Sequence, residues 1–353
     1  MPERRGPSTE SVHAGLPPAR QGEPFLPGPV FASAFHLAGD DVHGAYGYQR
    51  DGNPTWTNYE RALGELEGGE VVLFASGMAA VSAVMLSLGP GDVFAGPDDA
   101  YPGVRNIARD HLAPRGVEVR MGPTDQTRLE RDAQGATMVW AETPSNPGLE
   151  VLDIPALAAA AGDAPVVVDG TLAGPLRQRP LELGAAYSVV SASKHLTGHS
   201  DLLMGYVATS DPKRADRLRE WRVLTGAIAG PWEAWLAHRS LATYALRLER
   251  MEANAAALAE VLRDRDDVAG VRWPGVGSVV GFELADADAA RRFLEACELV
   301  IESTSFGGVH TNAERRARWG YGGGTAEGFI RFSAGIEDTA DLVADVSRAL
   351  DSI

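Results

Sequence analysis

The chain has 353 residues, 44% of them hydrophobic and 23% charged, with a formal net charge of −16 at pH 7. That length fits a large domain with a smaller one, not a single small core. An acidic surface repels phosphate backbones and anionic lipid, which argues against nucleic-acid binding and membrane-surface binding.

In chain order, residues 1 to about 55 read as an irregular arm, because prolines at 17, 18, 24, 27 and 29 disfavour regular structure. Such an arm either stays in solvent or docks on something. Short apolar runs at 71–75, 138–141, 165–168 and 188–191 predict buried strands, and the patterns at 79–88 and 154–161 predict helices between them. Strands alternating with helices imply an α/β fold with a large, mostly parallel sheet covered on both faces. A long helical pattern follows at 232–262. Beyond it, a strand at 279–284 and helices at 287–296 and 339–350 outline a smaller C-terminal α+β domain. The expected division is an arm to 55, a first domain over 56–235 and a second over 236–353. Gly322-Gly323-Gly324 follows no strand and reads as a flexible loop.

The single cysteine, Cys297, allows no disulfide within the chain, which suits a reducing compartment. No apolar run follows the opening Met-Pro-Glu-Arg-Arg-Gly, and no apolar stretch is long enough to span a bilayer. A cytoplasmic protein without a signal peptide is the expectation.

Three short segments carry chemistry. Ser76-Gly77-Met78-Ala79-Ala80 follows a strand and opens a helix, and the N–H groups at a helix start can face an anion. Val166-Val167-Val168-Asp169 is an apolar strand ending in an acid, where ligands of open α/β sheets bind. Taken alone, Asp169 reads equally well as a turn or capping acid. Ser191-Ala192-Ser193-Lys194-His195 places a lysine among small residues, where desolvation would make its amine a nucleophile toward an aldehyde. An isolated lysine at a strand end is more commonly a surface residue. In sequence order these are a phosphate turn, a strand-end acid and a lysine behind two hydroxyls. A pyridoxal 5'-phosphate (PLP) site needs those three parts.

With these segments in place, the sequence resembles the Cys/Met-metabolism family of PLP enzymes, which includes cystathionine γ-synthase, cystathionine γ-lyase, cystathionine β-lyase and methionine γ-lyase. The likeness covers nearly the whole chain. It rests on Tyr48-Gln49-Arg50-Asp51-Gly52-Asn53-Pro54-Thr55, Leu66-Glu67-Gly68-Gly69, Ser76-Gly77-Met78-Ala79-Ala80, Glu142-Thr143-Pro144-Ser145-Asn146-Pro147 and Asp169-Gly170-Thr171. It continues through Ser191-Ala192-Ser193-Lys194, Gly198-His199-Ser200-Asp201, Ala234-Trp235-Leu236, Ser305-Phe306-Gly307-Gly308 and Ile330-Arg331-Phe332-Ser333-Ala334-Gly335.

The resemblance implies fold type I of the PLP-dependent transferases, with the cofactor in the 56–235 domain. It implies Lys194 as the Schiff-base lysine and proton shuttle, and Asp169 as partner of the pyridinium nitrogen. Gly77, Met78, Ser191 and Ser193 would hold the phosphate, with Thr171 also at the cofactor. Tyr101 would stack on the ring. Asn146, Ser305 and Arg331 would bind the substrate carboxylate or the cofactor's phenolic oxygen. Tyr48 and Arg50 would reach the phosphate of a neighbouring subunit, which makes a dimer the smallest active unit within an expected homotetramer.

The chain departs from the family pattern where substrate choice is made. Gly103 stands where methionine γ-lyases carry a cysteine, and Thr304 where cystathionine γ-lyases carry a glutamate for the distal ammonium. On a strand, Glu302 would share a face with Thr304 and could partly replace that acid. Arg105 lies four residues after Tyr101 and not five, so no role is carried to it, and His310-Thr311 replaces the usual Glu-Ser. His310, Trp319 and Tyr321 are candidates for the cavity entrance, although each fits a surface loop as well. The expected reaction is γ-elimination from a sulfur amino acid, most like cystathionine γ-lyase, giving a 2-oxo acid, ammonia and a thiol. Methionine γ-lyase and cystathionine γ-synthase are the alternatives within the family, with no metal required. Outside it stand a fold-type I aminotransferase and a non-catalytic binding protein.

Overall fold

The structure is a computed structural model that describes residues 5–37, 39, 46–320 and 325–353. Tyr321 and Gly322-Gly323-Gly324 lie outside the described residues.

Seven strands make the larger sheet: β1 (Glu70–Phe74), β2 (Val93–Pro97), β3 (Glu118–Gly122), β4 (Met138–Glu142), β5 (Val166–Asp169), β6 (Tyr187–Val190) and β7 (Gly205–Thr209). Their order is β1-β7-β6-β5-β4-β2-β3. Pairing is parallel from β3 through β6, and β7 runs antiparallel to both β6 and β1. The expected mostly parallel sheet is present. The period-two rule explains its apolar runs: Trp140, Val167 and Val189 pack into a core on one face, while Val139, Ala141, Val166 and Val168 pack on the other. A strand buried on both faces has no polar alternation, so it reads as a continuous apolar run.

The expected helices need small corrections. Ile154–Ala161 forms as read, capped by Asp153, which accepts from the Ala156 N–H. The helix expected over 79–88 is Gly77–Met85, because the Ser76 hydroxyl accepts from the Ala79 N–H and sets an earlier start. The 232–262 pattern resolves into two helices, Pro231–Leu241 and Tyr244–Arg263. The Ser240 carbonyl accepts from Thr243 and from the Arg247 guanidinium, which ends the first helix. The arm also contains a helix, Pro7–His13, with proline in its first turn, where a missing N–H costs nothing. Glu10 ties that helix to Arg179 at 2.9 Å, and the Ser11 hydroxyl donates to the Leu241 carbonyl.

The smaller sheet has β8 (Ala269–Arg272), β9 (Val279–Glu283), β10 (Ile301–Glu302), β11 (Asn312–Arg315) and β12 (Phe329–Ser333) in the order β10-β11-β12-β9-β8. Helices Tyr244–Arg263, Ala287–Ala296 and Thr339–Asp351 cover one face. Ala313, Ile330 and Phe332 are buried there, beside an edge-to-face pair of Phe282 and Phe293. Each such fully buried aromatic contributes about 1.5–3 kcal/mol relative to exposure. By the same alternation Glu314 and Arg331 lie on the opposite face, directly across from each other on adjacent strands. A cluster of Leu149, Leu172, Val279 and Phe306 joins this face to the larger sheet's loops.

Residue 235 falls inside Pro231–Leu241, whose buried Ala234, Ala237 and Leu241 join the core of the larger sheet. We propose the three-part division as an arm, a first and a second domain, with this helix belonging to the first. Among the described residues, no helix is long and apolar enough to cross a membrane.

Candidate active site

A cavity of about 690 Å³ opens where β4, β5 and β6 end, at the carboxyl edge of the larger sheet. Gly77, Met78, Tyr101, Asn146, Asp169, Thr171, Ser191, Ser193, Lys194, Ser305 and Arg331 all line it. Residues more than two hundred positions apart thus meet in one space. Tyr48 and Arg50 do not line it. They lie exposed on the arm, with the Arg50 guanidinium 5.4 Å from the Tyr48 ring centre. Arg105 lines a separate cavity of about 380 Å³ that shares Arg316 with the first.

At one end the helix Gly77–Met85 points its first turn at the cavity. Its unsatisfied N–H groups and dipole suit an anion there. A Cβ at position 77 would meet Ser191 Cβ and Oγ at 2.9 Å, so glycine lets the turn close onto the segment that carries Lys194. The Ser191 N–H donates to Thr171 Oγ1 at 2.9 Å. Ser193 Oγ accepts from the Met204 N–H at 2.8 Å and lies 3.2 Å from the Met204 carbonyl, so its hydroxyl also ties the segment to the strand edge.

Asp169 ends β5, buried, and accepts from the Thr171 N–H at 3.0 Å. Glu142 lies beside it at the end of β4, where its two oxygens accept from the N–H groups of Tyr101 and Asn146, each at 2.7 Å. Burial raises the pKa of both acids, and the neighbouring Asp169 charge raises that of Glu142 further. A cationic ring nitrogen placed against Asp169 would reverse its shift.

Lys194 Nζ donates to Ser305 Oγ at 2.6 Å and sits 5.2 Å from the centre of the Phe306 ring. Burial lowers its pKa from 10.5 to about 8; the Arg331 charge adds to this and Glu314 opposes it. The neutral, nucleophilic amine is therefore accessible near physiological pH. The chain contains one other lysine, Lys213, which is exposed. Ser305 adopts φ +80°, a left-handed conformation uncommon outside glycine. In that conformation its hydroxyl meets Lys194 while its carbonyl accepts from Arg331 Nη2 at 2.9 Å. Such strain concentrates where function requires it.

Arg331 is buried. Its Nη1 donates to Asn146 Oδ1 at 3.0 Å, and it forms an ion pair with Glu314. Burial lowers its pKa to about 10, which leaves it a cation at neutral pH. Tyr101 lines the cavity 40% exposed, so its phenol is reachable by a ligand. A Cβ at Gly103 would collide with Met78 Sδ and meet Tyr101 Cε1 at 2.7 Å, so a larger residue there has to displace one of them.

Some expectations need correction. Glu302 is exposed, pairs with Arg318 and does not line the cavity; β10 ends at residue 302 and the chain bends at Thr304, so strand alternation does not relate the two. Of the proposed entrance residues Trp319 lines the cavity, whereas His310 is exposed and does not. Sequence reasoning missed Glu142, Glu314 and Arg316. A signal for Glu314 existed in the alternation of β11, where Ala313 faces the core and the acid must face the other way. Arg316 follows the strand in a short turn, where no periodicity identifies it.

The cavity thus combines an anion-ready helix start, a buried acid and a nucleophilic amine. A group bearing a phosphate, a ring nitrogen and an aldehyde fits these three, and the close approach that Gly77 permits brings the helix start to the lysine segment. These features define the class as an enzyme built for PLP chemistry. The sequence profile of the Cys/Met metabolism PLP-dependent enzymes matches residues 8–351, and the chain belongs to that family.

Among its relatives is a Streptomyces coelicolor protein described as "Putative cystathionine gamma-lyase", 52% identical over 370 residues, covering 98% of this chain and 94% of the relative. The crystal structure of metB from Corynebacterium glutamicum superposes with a TM-score of 0.94 at 31% identity, covering 99% of this chain and 98% of the other. CalE6 from Micromonospora echinospora matches at 32–33% identity, with TM-scores of 0.91 and 0.89, covering 97–98% of this chain and 98% of the other. That protein is described in one structure as a methionine gamma lyase and in another as a cystathione gamma lyase.

Proposed function

We propose that this enzyme is a C–S lyase that performs γ-elimination on a thioether amino acid, most like cystathionine γ-lyase. The observation that carries the reading is the meeting of Lys194, Arg331 and Tyr101 around one cavity: a base, a carboxylate grip and a proton donor. The chemistry that PLP supplies when bound is a ring that takes up the electrons released at the substrate's Cα. Lys194 Nζ would hold the cofactor, and as a free amine it would take the substrate's Cα proton and then serve Cβ. Asp169 keeps the ring nitrogen protonated. The first turn at Gly77 and Met78, with Ser191 and Ser193, would hold the phosphate, and Thr171 bonds to both Asp169 and Ser191 and so ties the two segments together. Arg331 grips the α-carboxylate, oriented by Asn146 and by the Ser305 carbonyl. Tyr101, whose phenol lines the cavity, would stack on the ring and donate the proton with which the thiol leaves Cγ. Glu142 positions Tyr101 and Asn146 through their backbone N–H groups.

We also propose a homodimer as the smallest active unit, within a tetramer. Tyr48 and Arg50 would reach the partner's phosphate. Their exposure supports this, as does the exposed apolar surface of Phe25, Phe31 and Leu37 along the same arm. The lone cysteine, which suits a reducing compartment, supports a cytoplasmic location.

One observation favours a second reading, methionine γ-lyase. Thr304 lines the cavity where an acid would meet a distal ammonium, and the nearest acid, Glu314, already accepts from Arg331, Arg316 and Trp319. Packing at Gly103 favours the cystathionine reading. The test is a panel of cystathionine, methionine, homocysteine and cysteine assayed for 2-oxo acid, ammonia and thiol. Faster 2-oxo acid and cysteine release from cystathionine than turnover of methionine supports the lead reading. Preference for methionine supports the second, and no 2-oxo acid from any substrate overturns both.

A further inference from the structure

Glu314 stands directly opposite Arg331 across β11 and β12, on the face turned away from the core. Its carboxylate is almost fully buried, with 2% of the side chain exposed, and so is the Arg331 guanidinium at 4%. Were this pair isolated, Glu314 would neutralise Arg331. An incoming carboxylate would then have to approach a buried like charge, which the low dielectric makes costly. The same Glu314 oxygen accepts a second guanidinium, Arg316 Nη1 at 3.0 Å, and Thr304 Oγ1 at 3.4 Å. The other oxygen accepts Trp319 Nε1 at 2.7 Å. The Arg316 side chain is itself only 9% exposed and lines the cavity. Among the described residues, two guanidiniums thus share the Glu314 carboxylate, so these three groups together carry a net positive charge that suits one more anion.

We propose that Arg316 is a positioning residue for substrate binding: by balancing Glu314, it leaves Arg331 able to grip the α-carboxylate. This rests on the reading of Arg331 as the carboxylate residue, and it adds a charge-balancing pair that acts through it. Arg316 does not need to touch the substrate. Its effect is confined to ligands that carry a carboxylate, which a merely structural arginine would not discriminate.

The experiment measures dissociation constants on the PLP-loaded enzyme by calorimetry, using two ligands with no sulfur to eliminate: L-norleucine and pentylamine, the same chain without the carboxylate. For Arg316→Met, norleucine should bind roughly ten- to a hundredfold more weakly, the worth of one charged hydrogen bond. Pentylamine should change less than about twofold, within the scatter expected of a site that keeps its own contacts. Arg316→Lys should recover part of the loss, because it keeps the charge without the planar fork. Adding Glu314→Gln to Arg316→Met should restore norleucine binding, because the charge that needed balancing is gone. Equal weakening of both ligands, no change in either, or no rescue by Glu314→Gln in a folded double variant would overturn the proposal. An Arg331→Met control separates the two levels. If it leaves the norleucine preference intact, the carboxylate reading itself fails; if it abolishes the preference while Arg316→Met does not, only the role of Arg316 fails.

Discussion

Replacing Lys194 by methionine should stabilise the cofactor-free protein, and the gain should depend on pH. The amine is buried, and its pKa falls from 10.5 to about 8, mainly through lost hydration. A base with a depressed folded-state pKa binds fewer protons folded than unfolded, so folding carries a penalty at low pH. That penalty is complete below about 8 and disappears as pH rises through 10.5. The size of the shift corresponds to about 3 kcal/mol at pH 7, falling to about 1 kcal/mol at pH 10. Lys194→Met removes the titrating group and keeps a similar volume. The donation to Ser305 is lost as well, which lowers the gain by about 1 kcal/mol but does so at every pH, since a neutral amine can still donate. The assay is urea unfolding of both proteins at one subunit concentration over pH 7 to 10, because the proposed dimer would make stability depend on concentration. The difference between variant and native protein should shrink by roughly 2 kcal/mol across that range. A difference that stays flat, or that grows with pH, would refute the picture of Lys194 as a desolvated amine.

Further outcomes follow from the same geometry. Asp169→Asn should retain PLP but slow exchange of the substrate's Cα hydrogen with deuterated solvent by at least about a hundredfold, since an amide cannot hold the ring nitrogen protonated; near-normal exchange would make Asp169 a turn residue. Gly103→Cys should lower kcat on cystathionine by about tenfold or more, because the new side chain collides with Met78 and Tyr101 and moves the phenol; unchanged kcat would show that the contact relaxes without consequence. Arg50→Ala and Lys194→Ala chains, each inactive alone, should regain about a quarter of native activity after complete subunit exchange, since half of the dimers are mixed and each mixed dimer has one intact site. Confirmed exchange without recovery would exclude a shared site.

The strands and most of the site were legible because their physics is local. A doubly covered strand must be apolar throughout, so Val166-Val167-Val168 shows itself, and the acid that closes it marks the sheet edge where ligands bind. Gly77 and Lys194 sit in short segments with distinct chemistry of their own. What stayed hidden depends on partners distant in sequence. Glu142 is an ordinary strand-end acid until its oxygens are seen to accept from the Tyr101 and Asn146 N–H groups. Arg316 is one of several arginines in a short turn until Glu314 is seen between it and Arg331. The exposed position of Glu302 followed from where β10 stops, which an alternation rule cannot supply. The helix at Pro7–His13 was missed because the prolines that argue for irregularity begin only after it.

Lys194 as the residue that carries PLP is the claim on which the rest depends, and the chain makes it easy to test. Only Lys194 and Lys213 are available, and Lys213 is exposed on a surface helix. Borohydride reduction of the PLP-loaded protein, followed by peptide mass spectrometry, should place the cofactor mass on the Lys194 peptide and leave Lys213 unmodified. Lys194→Ala should lose the visible cofactor band, the added mass and turnover together. The mass on Lys213, or a Lys194→Ala protein that still fixes the cofactor and turns over, would contradict the account.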